Sequence, residues 1–533
     1  MRGDFAIVPE REPMRFSRNS RRKFLSSSTA SLFCLVLTLA LPLILLPSSS
    51  ALALQSEINL TILHVNDTHG HITPYLDKSV DPGQQVGGAE YLAKMIERER
   101  AANPDGTILL SAGDMFQGTP VSNLFHGKPV IEIMNYLRFD AMALGNHEFD
   151  WGQNVLQSII SSASFPVVSA NVFKRGGRHI PGVKSYVILK RKGVRIAVIG
   201  ITTPDTYYTS KPGNLTGLTF VHPEKVLPSI IRRVRAQGAS IVVALTHDGL
   251  DADRELARKV SGIDIIVGGH SHTAIRDPVI ESGTVIVQAG SNGIYLGVLN
   301  ITFDLAEKKI LSYTRKDELR LVSAASGAQI DPNVAHIVDK YEAQVKTEFS
   351  KVIGTAAADL TRDRAGESCL GDIITDAMRE ASGAGIAFQN AGGIRADIPR
   401  GPITMEAVFT TLPFEDDMVT MNLTGEQIRE LLEKSVLSEK MLQVSGMRIV
   451  YDLSKPVGAK VASVELAGKP MEPRETYRIV TNDFLASGGD QFNIFKQGRN
   501  ISVGPPLRDA VADYIRKNSP INVQARNRII FRN

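Results

Sequence analysis

The chain has 533 residues, 43% of them hydrophobic and 22% charged, with two cysteines and one tryptophan. This composition excludes disordered, collagen-like and coiled-coil chains, and the length suits two or three domains. The formal charge of +4 belongs wholly to residues 1–53, where seven Lys/Arg face three acids, while residues 54–533 balance. Charge therefore gives no ground for nucleic-acid binding.

Residues 20–25, Ser-Arg-Arg-Lys-Phe-Leu, precede an apolar run from Leu32 to Leu46 and then Ala51-Leu52-Ala53. A charged start, an apolar stretch and a small-x-small site form the pattern of a cleaved signal. Arg21-Arg22 before Phe24-Leu25 resembles a twin-arginine export signal. The run is broken by Pro42 and is short for a membrane span of about 20 residues. The reading is that residues 1–53 engage export machinery and are removed, leaving a periplasmic or extracellular protein with no stable membrane span. Met14 is an alternative start. Cys34 leaves with the leader, so Cys369 has no partner for an intrachain disulfide and is expected to pack in the core.

From residue 57 to about 305, short β-branched runs alternate with helical patterns, which predicts βα units in a layered α/β domain. The predicted strands are Leu60–Val65, Thr107–Ala112, Ala141–Leu144, Arg195–Ile199, Ile241–Leu245, Asp264–Val267 and Val285–Ala289. An amphipathic helix follows. Asp331 caps it, Pro332 opens it, and Val334, Ile337, Val338, Tyr341, Val345 and Phe349 form its apolar stripe. It reads as a connector, residues 331–352, between a domain at 54–330 and a second one at 353–533. The second has its own predicted strands (Gly446–Tyr451, Thr476–Thr481) and helices (Leu370–Ala381, Gly425–Ser435).

Five of the first domain's predicted strands end in polar motifs: Asn66-Asp67-Thr68-His69, Gly113-Asp114, Gly145-Asn146-His147-Glu148, Thr246-His247-Asp248 and Gly268-Gly269-His270-Ser271-His272. In an α/β sheet the C-terminal strand ends share one rim, where ligands bind. Carboxylates, an amide and several imidazoles gathered there make a ligand set for two metal ions. With no thiolate among them, the set suits Zn, Mn, Co or Fe. Two such ions clamp a phosphoryl group and lower the pKa of a bound water that attacks in line. All 11 histidines lie between His64 and His336, so the first domain supplies this chemistry.

These motifs, with Gln117-Gly118-Thr119 and Phe149-Asp150, resemble the calcineurin-like metallophosphoesterases, and within them the 5′-nucleotidase / UDP-sugar hydrolase / 2′,3′-cyclic phosphodiesterase family. The resemblance covers nearly all of 57–533. It implies an N-terminal α/β/β/α metallophosphoesterase domain joined by a helix to a smaller α+β substrate-binding domain. It implies that Asp67, His69 and His272 hold one metal, that Asn146, His247 and His270 hold the second, and that Asp114 bridges them. His147 would then stabilise the transferring phosphate, oriented by Asp150. In the second domain the resemblance puts Asn390, Gly393 and Arg395 in a Gly-rich substrate loop. Phe414 and Phe484 would sandwich a base, and Asp490 would accept ribose hydroxyls. Arg362 and Arg364 both fall near a further basic position, of which Arg364 is taken.

The function so implied is removal of phosphate from nucleoside 5′-monophosphates by attack of metal-bound water, with 2′,3′-cyclic nucleotides and UDP-sugars as further substrates. The alternatives are a related two-metal thiosulfohydrolase of periplasmic sulfur oxidation and a non-catalytic nucleotide-binding envelope protein. The chain departs from the family pattern at Cys369-Leu370-Gly371-Asp372, at Gln491 and at Glu415-Asp416-Asp417. The acidic run is expected to disfavour di- and triphosphates.

Overall fold

The structure, a computed structural model, describes residues 57–532 except 78–79, 325–328 and 523–525. The predicted leader lies outside the described residues. Among those described, no helix is long and apolar enough to cross a membrane.

The first domain is built on two stacked sheets. In one, strand Glu57–Val65 pairs in parallel with Thr107–Ser111, and Ala141–Ala143 lies beyond it. Strand Tyr295–Asp304 runs antiparallel on the other side of Glu57–Val65. In the second sheet Val194–Thr202, Ile241–His247, Ile265–Val267 and Thr284–Val287 are parallel neighbours. The period-2 alternation of each strand divides its side chains between two cores. Leu60 and Ile62 meet Ile196, Val198, Val243 and Leu245 between the sheets. Leu63 and Val65 face an outer helix layer, and Ala197, Ile199, Val242 and Ala244 face the other. These strands are apolar on both faces because each sheet is covered twice, by its partner sheet and by helices. The five motif-bearing strand ends therefore lie along two facing sheets, where the sequence reading had one rim. His247 is the last residue of its strand, paired with Thr202.

The predicted helix forms as Pro332–Phe349, with the Asp331 carboxylate accepting from the amides of Asn333 at 2.9 Å and Val334 at 3.2 Å. It is more than a connector. Val334, Val338, Tyr341 and Val345 are buried in the outer core of the first domain. At its end Phe349 meets Phe409 of the second domain edge-on, 5.4 Å between ring centres.

The second domain is α+β. Its five-stranded sheet runs Leu442–Ser445, Ile386–Asn390, Thr476–Asn482, Asp417–Thr424, Arg499–Pro506. Helices Cys369–Ser382 and Leu507–Asn518 pack one core, and Gly425–Ser435, started by a Thr424/Gln427 capping box, packs another. Buried Cys369 receives the Thr361 amide at 3.0 Å.

Candidate active site

The strand-end motifs converge. Asp67, His69 and His272 offer ligand atoms within 4.8 Å of one another, as do Asp114, His247 and His270. The two groups adjoin: Asp67 Oδ1 lies 3.3 Å from His272 Nε2 and 3.9 Å from His247 Nε2. His69 Nε2 and His272 Nε2 stand 3.1 Å apart, and His247 Nε2 is 2.9 Å from Asp114 Oδ2. The other ring nitrogens are engaged elsewhere. His69 Nδ1 donates to the Gln117 carbonyl at 2.8 Å, and His247 Nδ1 to the Ala112 carbonyl at 2.7 Å. That orients each ring with Nε2 toward the cluster, where a bound ion would take the place of its proton. Asn146 Oδ1 is buried without a hydrogen-bond partner, and Asp67 Oδ1 and His247 Nε2 meet only other members of the two groups. Buried polar atoms are normally satisfied by partners outside such a cluster, so this arrangement fits a pair of divalent ions.

The backbone carries the cost of this convergence. Asp67, His69, Asp114, His270 and His272 all have φ between 49° and 77°. Non-glycine residues rarely sit there, at roughly 1–3 kcal/mol each, and such residues cluster at functional sites. Other side chains hold them in place. Asn66 Nδ2 donates to Asp67 Oδ2 at 2.7 Å, and the same oxygen accepts the His270 amide at 2.9 Å. Buried Glu148 accepts three backbone amides around Asp114. The sequence reading gave Asn66 and Glu148 no role, although both lie inside the quoted motifs.

Charge follows the geometry. Burial opposes a charge on His247, but Asp114 and Asp67 outweigh it and push its pKa up to about 10. Burial and the neighbouring His247 push His270 down to about 3. Burial also disfavours cationic His147, yet Asp150 and Asp114 raise it above the usual imidazole value. His147 Nδ1 donates to Asp150 Oδ2 at 2.6 Å.

The second domain closes over these groups. A cavity of about 600 Å³ is lined by Asp114, Asn146, His147, Asp150, His270 and His272 on one side. On the other it is lined by Arg364, Asn390, Gly393, Arg395, Phe414, Phe484 and Asp490. This is the size of a small-molecule site. Arg395 reaches across, its Nη2 3.2 Å from His69 Nε2. The Phe414 ring lies 5.5 Å from that of His147. Asp490 Oδ2 accepts from Asn390 Nδ2 at 2.9 Å. Of the two arginines left open between, Arg364 lines the cavity and Arg362 donates instead to the Arg395 carbonyl. Trp151 and Lys211 also line it, and no motif pointed to either.

The calcineurin-like phosphoesterase profile matches residues 60–274, and the 5′-nucleotidase C-terminal domain profile matches residues 351–497. The chain is 32% identical to a snake venom 5′-nucleotidase of Naja atra, over 89% of this chain and 99% of that one. It is 31% identical to the trifunctional nucleotide phosphoesterase YfkN of Bacillus subtilis, over 82% of this chain but only 32% of that longer protein. The crystal structure of a 5′-nucleotidase precursor from Thermus thermophilus superposes with a TM-score of 0.83 at 35% identity, covering 89% of this chain and 99% of that one. The sulfate thiohydrolase SoxB of Thermus thermophilus shares the fold at 20% identity and a TM-score of 0.76, covering 89% of this chain and 97% of that one.

Proposed function

The chain belongs to the 5′-nucleotidase family of calcineurin-like metallophosphoesterases and is a metal-dependent phosphoester hydrolase, and we propose that its substrates are nucleoside 5′-monophosphates. The observation that carries this is the placement of Phe414, Phe484 and Asp490 on the same cavity as the two ligand groups.

In this reading Asp67, His69 and His272 hold one ion, Asn146, His247 and His270 the other, and Asp114 lies between them. When bound, such ions neutralise phosphoryl oxygens and supply an activated water. The chain's own groups do the rest. Phe414 and Phe484 hold the base by stacking, which tolerates different bases. Asp490, steadied by Asn390, takes the ribose hydroxyls. Arg395 and Arg364 point fixed positive charge at the phosphate. His147, kept cationic by Asp150, stabilises the charge that develops as the ester bond breaks. The aromatic pair favours this reading over thiosulfate hydrolysis, which needs no base pocket. The intact ligand set and His147 favour an enzyme over a binding protein.

The proposal extends to the whole chain: residues 1–53 as an export leader, 54–330 as the metal domain, 331–352 as the joining helix and 353–533 as the substrate domain. The separate apolar cores of the two domains support the division.

The test is phosphate release from AMP, 2′,3′-cyclic AMP, ATP, UDP-glucose and 4-nitrophenyl phosphate, with Mn, Zn or Co and with a chelator. The expected result is metal-dependent release, fastest from AMP and silenced by the chelator. Release from the aryl phosphate alone would refute the nucleotide assignment.

A further inference from the structure

One loop grips both halves of the cavity. Between a short helix at Thr206–Thr209 and a turn at Pro212–Leu215 lie Ser210 and Lys211. Ser210 Oγ donates to the Asn146 carbonyl at 2.7 Å, and Asn214 Nδ2 donates to the Asp150 carbonyl at 2.6 Å. The loop thus holds both ends of the segment that presents His147. Lys211 turns the other way, into the second domain. Its Nζ donates to Asp483 Oδ2 at 3.1 Å and to the Glu415 carbonyl, and lies 3.8 Å from Asp416 Oδ1.

The position of those partners matters. Asp483 immediately precedes Phe484, and Asp416 follows Phe414 by two residues. A single ammonium is therefore tied to both segments that carry the aromatic walls. Asp416 is 8% exposed and faces Asp483, with Asp150 and Asp417 adding negative charge nearby. Burial and Asp483 push the Asp416 carboxyl up to about 7 against the pull of Lys211. Without the lysine, Asp416 and Asp483 would face each other with no ammonium between them, and Arg508 would be left to balance the Glu415–Asp416 side alone. The Phe414 segment has other anchors, Asn123 at the Pro413 carbonyl and Arg508 at the Leu412 and Phe414 carbonyls. Among the described residues, Lys211 is the first-domain side chain hydrogen-bonded beside Phe484.

We propose that Lys211 is a positioning residue for nucleotide selectivity, registering the two aromatic walls against His147 so that a stacked base delivers its phosphate to the ligand cluster. This rests on the nucleotide reading above. Asn123 and Arg508 still hold the Phe414 segment when the lysine is lost, so the loss falls mainly on Phe484, and a substrate without a base should not need Lys211.

The test compares AMP with 4-nitrophenyl phosphate in the wild-type protein and in Lys211→Met, Lys211→Arg and Asp483→Asn. Lys211→Met is expected to raise the KM for AMP by about tenfold or more, since small misplacements at a reacting centre are costly. Its kcat/KM for the aryl phosphate should stay within about twofold of wild type, and Lys211→Arg should restore most of the AMP affinity. Asp483→Asn keeps the lysine and loses one tie, so it should show a smaller rise with the same sparing, and it serves if Lys211→Met fails to fold. Fluorescence of Trp151, the only tryptophan and a cavity residue, should report the same loss of AMP affinity without turnover. An unchanged KM for AMP, or an equal loss for both substrates, would overturn the proposal. Wild-type protein that cleaves the aryl phosphate but shows no saturable AMP turnover would instead refute the nucleotide reading.

Discussion

The carboxylate of Glu148 accepts the backbone amide of Asp114 at 2.9 Å, and with its remaining capacity it takes Gly145 at 2.6 Å and Met115 at 2.9 Å. Asp114 has φ of 53°, so its backbone needs this outside support. Glu148→Gln keeps the size but turns an NH2 group toward one set of amide donors. We expect bound metal or kcat to fall about 10- to 100-fold, the usual cost of losing a group that orients a ligand. Metal content by atomic spectroscopy together with AMP turnover checks this; wild-type values for both would remove Glu148 from that role.

Asp150 acts on His147 through a 2.6 Å hydrogen bond. Asp150→Asn leaves the imidazole without the carboxylate that favours its charged form. The expected outcome is a kcat lowered about 10- to 100-fold with KM for AMP near wild type, and His147→Ala should lose turnover while thermal unfolding stays close to normal. Stopped activity with intact metal content would place the loss in the transfer step. A large change in KM with kcat preserved would instead make the pair a binding device.

Much of this candidate site was legible because polar motifs at strand ends sit next to strands of period 2. The Asp67, Asp114, Asn146, His247 and His270 motifs each interrupt an apolar run, and the structure brings all five together. What stayed hidden depends on partners far along the chain. That two sheets share the rim follows from packing such as Leu60 against Val243, which no local pattern encodes. Lys211 sits in a loop without a motif, and its partners lie more than 200 residues away. Arg362 and Arg364 are two positions apart in an exposed segment, and only the tertiary fold separates the one that lines the cavity. The acidic run after Phe414 lies at the cavity, which both Glu415 and Asp416 line; what no local pattern showed is that Asp416 is also a buried partner of Lys211.

The two aromatic walls should not be equivalent. Removing either ring is expected to weaken AMP binding by about 1–3 kcal/mol, or about 5- to 150-fold in KM. Phe414 also lies 5.5 Å from the His147 ring and under the Arg395 guanidinium at 5.8 Å. Phe414→Ala should therefore lower kcat as well, including toward 4-nitrophenyl phosphate, whereas Phe484→Ala should spare the aryl substrate. Steady-state kinetics on both substrates separates these outcomes, and identical profiles for the two variants would contradict the geometry.

Asp372 makes a prediction about stability. It is buried in the second domain, with Arg528 Nη1 at 3.3 Å and the Arg526 amide at 3.2 Å. Burial, with Glu367 alongside, outweighs Arg528 and pushes its carboxyl up to about 7. The native state therefore keeps a proton that the unfolded chain releases above about pH 4. The stability this group contributes is complete below about pH 4 and is lost as pH rises through 7. Asparagine has no proton to lose. The thermal midpoint of Asp372→Asn, measured against wild type, should shift in favour of the variant between pH 5 and pH 8. Arg528 still keeps its two contacts to Asp376, at 2.9 and 2.8 Å, so the arginine is not stranded in the variant. A difference that stays flat across this range would mean that Arg528 holds Asp372 ionised throughout.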